Sequence, residues 1–163
     1  MGVADELLEN NANYAAGFAK GDLGAPPRRK VAILTCMDAR IDPARMLGLE
    51  EGDAHVIRNA GGVATDDAIR SLAISQHLLG TEEVLVIQHT RCGMLTITDE
   101  EFTERMEREA GERPSWRAHA LDDLEAGVRA SVERVRESPF VPHANVRGFV
   151  YEVETGRLRE VAA

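Results

Sequence analysis

Glu83-Val84-Leu85-Val86-Ile87-Gln88 is the most apolar β-forming run in the chain, and Lys30–Thr35 (KVAILT) is a second one upstream. Short runs that are apolar throughout, without polar alternation, belong to strands covered on both faces, as in a parallel sheet. Ala54–Arg58 (AHVIR) reads as another strand between them, and Val146–Val153 as a last one before a Thr155-Gly156 turn into Arg157–Val161. Helical patterns fill the intervals. Asp42-Pro43 pairs an N-cap with a proline at the first helical position and opens a short helix through about Leu49. Thr65-Asp66-Asp67 opens a helix carrying Ala68, Leu72 and Leu79 on one face, and Gly80 closes it. Leu121, Leu124, Val128, Val132 and Val135 form an amphipathic stripe in the charged stretch from Thr98 to about Glu137, with a break near Arg113-Pro114. Such alternation predicts an α/β fold: a mostly parallel central sheet of about four parallel strands plus a C-terminal edge strand, flanked by helices.

Ahead of this pattern, Val3–Lys20 places Leu7, Asn11, Tyr14 and Phe18 on one side at helical spacing, with a Pro26-Pro27 breaker beyond it. It reads as a helical arm, about 3–20, on a single domain spanning 1–163, which suits a chain of 163 residues. Nineteen Lys+Arg against 28 Asp+Glu give a net charge of −9, so a phosphate backbone is a poor partner. Neither a membrane-spanning run nor a secretory signal is visible, and the two cysteines make a poor disulfide framework. A cytoplasmic protein is expected.

Three metal-capable side chains fall at strand ends. Cys36 follows KVAILT directly, and His89 and Cys92 follow EVLVIQ. Ligand sites in parallel sheets gather outside the carboxyl ends of strands, so neighbouring placement of these two would bring Cys36, His89 and Cys92 together. Two thiolates and an imidazole suit zinc and leave a fourth position for water or substrate. Buried core cysteines, or a disulfide between them, fit the same residues. Beyond Cys36 stand Asp38 and Arg40, a carboxylate and a guanidinium able to clamp it in two places. Asn59-Ala60-Gly61-Gly62 precedes a helix N-terminus, where Gly61 can offer an N–H to a substrate anion, or simply make a tight turn. His55 is a candidate proton shuttle or a structural histidine; His77, His119 and His143 have no tie to the site.

Cys36-Met37-Asp38-Ala39-Arg40 together with His89-Thr90-Arg91-Cys92-Gly93, and Arg58-Asn59-Ala60-Gly61-Gly62 between them, resembles the signature of the β-class carbonic anhydrases across nearly the whole chain. The resemblance implies one zinc ion per chain on Cys36, His89 and Cys92, with Asp38 and Arg40 as a catalytic dyad. It implies that the Gly93 N–H meets a substrate oxygen, and that Asp38, once released from Arg40, can itself become the fourth zinc ligand. The implied reaction is reversible hydration of carbon dioxide to bicarbonate and a proton by zinc-hydroxide attack, in a homodimer or higher oligomer whose N-terminal helix packs over the partner. Pro27 occupies the region where plant-type members carry a glutamine, which resembles the smaller archaeal-type branch. Ile33 stands where members with a non-catalytic bicarbonate pocket have a tryptophan, although Arg58 matches the arginine of that pocket. Carbonyl sulfide or carbon disulfide hydrolysis on the same site, and a non-catalytic zinc- or anion-binding protein, are the competing functions.

Overall fold

A computed structural model describes residues 2–142 and 145–161, so His143 lies outside the described residues. Five strands are ordered β2-β1-β3-β4-β5: β1 is Val31–Cys36, β2 Ala54–Asn59, β3 Glu83–His89, β4 Asn145–Glu152 and β5 Arg157–Val161. The first four run parallel and β5 returns antiparallel on the edge, so the expected α/β sheet is the observed one. Each of the first three strands ends one residue later than its apolar run. The added residues are Cys36, Asn59 and His89, polar or ligand-capable groups brought into the sheet's carboxyl edge.

Helices α3 (Asp66–Leu79) and α5 (Leu124–Glu137) carry the buried faces that cover the sheet. Val128, Val132 and Val135 of the predicted stripe are fully buried, as is Leu72 of α3. α5 approaches β4 closely because position 148 is glycine: a Cβ there would lie 2.5 Å from Val128 Cγ1 and 2.9 Å from Val132 Cγ2. The short helix α2 (Pro43–Leu47) starts on the Asp42 cap, which accepts from the Arg45 N–H at 3.1 Å. It stops two residues earlier than expected, because Gly48 takes the left-handed conformation. The break in the charged stretch likewise comes before the proline. α4 (Asp99–Ala110) ends on Gly111, and a loop then runs to the Asp123 cap of α5.

The arm behaves differently. α1 (Val3–Ala16) is four residues shorter than the periodicity suggests and buries none of its residues. Leu7, Leu8 and Tyr14 stay exposed, as does Phe18 beyond it, and the arm touches the body where Tyr14 and Lys20 both engage Glu51. Among the described residues no helix is long and apolar enough to cross a membrane.

A candidate metal centre at the carboxyl edge of the sheet

β1 and β3 are paired neighbours, and their carboxyl ends bring the three expected ligands together. Cys36 Sγ, Cys92 Sγ and a ring nitrogen of His89 lie within 4.8 Å of one another, all buried. Both cysteines are free thiols rather than a disulfide. Gly62 makes the convergence possible. It has a positive φ of 64°, and a Cβ there would sit 2.9 Å from the Cys36 backbone N and 3.0 Å from the Ile87 carbonyl oxygen. The Asn59 side chain staples this turn, donating to the Val63 carbonyl at 2.7 Å and accepting from the Val63 N–H at 2.9 Å.

His89 tests whether the pocket suits a cation. Its Nδ1 lies 2.9 Å from the Thr90 carbonyl oxygen, which can only accept, so that nitrogen carries the proton. Nε2 therefore turns a lone pair inward, and among the described residues it is buried without a hydrogen-bond partner. An orphaned imidazole lone pair beside two buried sulfurs is a donor set for a soft or borderline metal ion. The thiols divide unevenly. A hydrogen bond from Cys92, opposed by burial and aided by His89 and the backbone N–H groups of Asp38 and Gly61, brings the Cys36 thiol pKa down. The same hydrogen bond, with burial and the neighbouring charge, pushes Cys92 up. For His89 the largest influence, burial, lowers the pKa, but the adjacent Cys36 sulfur and its charge, with help from Thr90 and Asp38, leave it raised. Without a cation, the pocket keeps protons to balance its sulfur charge.

Asp38 stands beside this cluster, its Oδ2 at 3.7 Å from His89 Nε2. Arg40 grips it through Nε to Oδ1 at 2.9 Å and Nη2 to Oδ2 at 2.7 Å, and the Arg40 backbone N–H adds a third bond at 2.9 Å. These bonds hold the Asp38 carboxyl well below the usual carboxylate range. Two ties were not legible in the motif. Arg40 Nη2 also reaches the Arg91 carbonyl at 3.0 Å, linking the dyad to the turn that supplies Cys92. Arg58 donates to the carbonyls of Cys36 at 2.9 Å and Asp38 at 2.8 Å, fixing the Cys36–Asp38 segment from behind.

A family profile described as carbonic anhydrase matches residues 31–158. The chain belongs to the β-class carbonic anhydrase family. It is 54% identical over 162 residues to beta-carbonic anhydrase 1 of Mycobacterium tuberculosis, covering 99% of both chains. It is 35% identical to a carbon disulfide hydrolase of an Acidianus species, covering 96% of this chain and 87% of that one. The crystal structure of carbonic anhydrase from Streptococcus mutans superposes with a TM-score of 0.94 at 41% identity, over 99% of each chain.

Within this β-carbonic anhydrase the remaining expected positions lie as follows. Gly93 opens a short 3-10 turn, Gly93–Leu95, and a Cβ added there would meet nothing within 4 Å. The Gly61 N–H donates to Cys36 Sγ at 3.4 Å. His55 is not at the site. It pairs in register with Ala32, four residues before Cys36 on a strand rising about 3.3 Å per residue, and its Nδ1 lies 2.7 Å from Ser75 Oγ. The shuttle reading is therefore replaced by the structural one. His77 is also remote, with Nε2 3.0 Å from the Phe140 carbonyl. His119 departs from expectation in the other direction: it lines a chamber together with Met37, Asn59 and Ala60, next to the cluster. Only the path of the loop after α4 brings it there, and that loop has no periodicity to read.

Proposed function

We propose that this chain is a zinc-dependent carbonic anhydrase that hydrates carbon dioxide reversibly to bicarbonate and a proton. The observation that carries the reading is the orphaned His89 Nε2, buried between two thiols and beside a carboxylate held off by an arginine. Cys36, His89 and Cys92 would hold one zinc ion per chain. Bound there, zinc supplies the Lewis acidity that makes water a nucleophile near neutral pH, an effect whose standard example is carbonic anhydrase itself. Asp38, kept ionised by Arg40, accepts a hydrogen bond from the attacking water and so fixes which lone pair faces the carbon. In this reading the Gly93 N–H would donate to the substrate oxygen as negative charge builds on it. Without the Arg40 fork, the Asp38 carboxylate can swing the short distance to the cluster, become a fourth ligand and close the site.

The exposed apolar residues of α1 support a homodimer in which each arm packs over its partner. The reduced thiol pair fits the cytoplasm. A second reading, carbon disulfide or carbonyl sulfide hydrolysis, is favoured by the relatives of that name. Stopped-flow assay of the zinc-loaded protein on carbon dioxide, carbonyl sulfide and carbon disulfide separates the two. Dominant turnover of carbon dioxide is expected; turnover of carbon disulfide alone would move the assignment to the second reading, and turnover of none would leave a zinc- or anion-binding protein.

A further inference from the structure

The candidate metal cluster has two unlike flanks. One is charged, formed by Asp38 and Arg40 with Arg91 and Glu154, whose opposite charges lie 3.6 Å apart. The other is a chamber of about 430 Å³ lined chiefly by Met37, Ala60, Met94, Ile97, Phe102 and Trp116. Met37 and Trp116 are well exposed at its mouth. Phe102 and Trp116 make a tilted aromatic pair with centroids 6.0 Å apart. Met94 forms the inner wall, because the same side chain packs against the buried cluster that Cys36, Cys92 and Ile41 make. It reaches that place over Gly61, where a Cβ would stand 3.2 Å from Met94 Cγ. A methionine is flexible enough to act as a movable partition.

We propose that this chamber is the entry route for the neutral substrate and that Met94 is the specificity-determining residue at its inner end. The proposal rests on the carbonic anhydrase reading above. The chamber is many times the roughly 30 Å³ that one water molecule occupies in the liquid, so it admits small apolar molecules several at a time. Carbon dioxide carries no charge and loses little on leaving water for apolar walls. Bicarbonate or another anion taking the same path would trade its water for walls that are chiefly apolar, because the polar groups there are already engaged, Asn59 by Val63, Thr65 by Ala68 and Arg117 by Asp99, apart from the ring of His119. Asp38, Arg40, Arg91 and Glu154 give the ionic product and the proton a solvated way out on the opposite flank. Passage past Met94 then depends on the width left by its side chain, and width separates carbon dioxide from the larger carbon disulfide.

The test combines xenon with two Met94 variants of the zinc-loaded protein. A crystal pressurised with xenon is expected to show the gas in the chamber against Met94, and an empty chamber overturns the proposal. Met94→Trp is expected to lower kcat/KM for carbon dioxide at least tenfold, with zinc content and inhibition by azide unchanged, since the anion arrives from the charged flank. Met94→Ala is expected to raise the ratio of carbon disulfide to carbon dioxide kcat/KM about tenfold or more, the scale on which single methylenes are discriminated in apolar pockets. Should Met94→Trp fail to fold or lose zinc, Ile97→Trp obstructs the chamber farther out and is expected to give the same selective loss. An active parent whose folded, zinc-loaded variants keep both quantities within twofold overturns this proposal alone. A zinc-loaded parent that hydrates no carbon dioxide overturns the functional reading and this route with it, whatever the xenon shows.

Discussion

The carboxyl edge of the sheet and the N-terminal arm are built on opposite principles. At the sheet edge nearly every polar group is held by another part of the same chain: Asp38 by Arg40, Arg40 by the Arg91 carbonyl, and the Cys36–Asp38 segment by Arg58. Along α1 no residue is buried, and Leu7 and Leu8 are 61% and 68% exposed. Helices of this length draw most of their stability from packing an apolar face, so α1 is a structure awaiting a surface, whereas the metal centre is organised within the chain. Substitutions at the first should therefore alter association, and substitutions at the second chemistry.

The strongest way to break that contrast is Cys92→Ser. It removes one of three proposed ligands, and the expected result is loss of zinc by elemental analysis and of all measurable hydration, with the molar mass by light scattering unchanged from that of the parent. Full zinc occupancy in the variant would remove Cys92 from the metal centre. Arg40→Ala comes next. It unties Asp38 without touching a proposed ligand, so activity should fall by about a hundredfold or more, the usual range for a positioned catalytic group. Zinc content should stay unchanged, and X-ray absorption should report a carboxylate in the fourth position in place of exchangeable water. Near-normal rates with an exchangeable water would show that Arg40 does not hold Asp38 back.

A paired substitution separates body from arm. Leu72 is fully buried in the core, and Leu72→Ala should cost about 2–5 kcal/mol in denaturant unfolding. Leu8→Ala should change monomer stability by under about 0.5 kcal/mol, as exposed substitutions do, yet weaken self-association in a dilution series. An arm substitution that unfolds the protein as severely as the core one would mean that α1 packs on its own chain.

How much could be read in the sequence follows the same division. EVLVIQ and KVAILT are strands because both faces are covered, and their adjacency makes three scattered residues into one site. Periodicity also located α5, since Val128, Val132 and Val135 have a sheet to meet. Where contacts are long-range and carried by single side chains, no local pattern records them. Arg58 reaching back to Cys36 and Asp38, and the loop that brings Trp116 and His119 beside Met37, are of this kind. His55 could be read either way because a histidine near a motif in sequence can lie at the far end of a strand in space, as it does here. The arm showed its apolar face plainly, but a stripe gives no information about what covers it.

The smallest effect concerns the metal centre alone and sharpens the contrast most. In the metal-free chain the two buried thiols act as one coupled pair: the hydrogen bond between them favours ionisation of Cys36 and pushes Cys92 up, so the pair holds a single proton near neutral pH. Zinc requires both as thiolates and His89 neutral. The thiol pair thus gives one proton at pH 7, and His89 adds a fraction because its pKa is raised. A group whose proton must leave makes binding stronger as pH rises. Zinc affinity should climb about tenfold per pH unit around neutrality for the one full proton, and somewhat more steeply where His89 also titrates. Calorimetry in buffers of different ionisation enthalpy should count between one and two protons released per zinc. The count should be the same for Leu8→Ala, because no group of the arm takes part. Release of two full protons from the thiols would show that the pair is not singly ionised beforehand, and a count that changed with Leu8→Ala would show that the arm reaches the candidate metal centre after all.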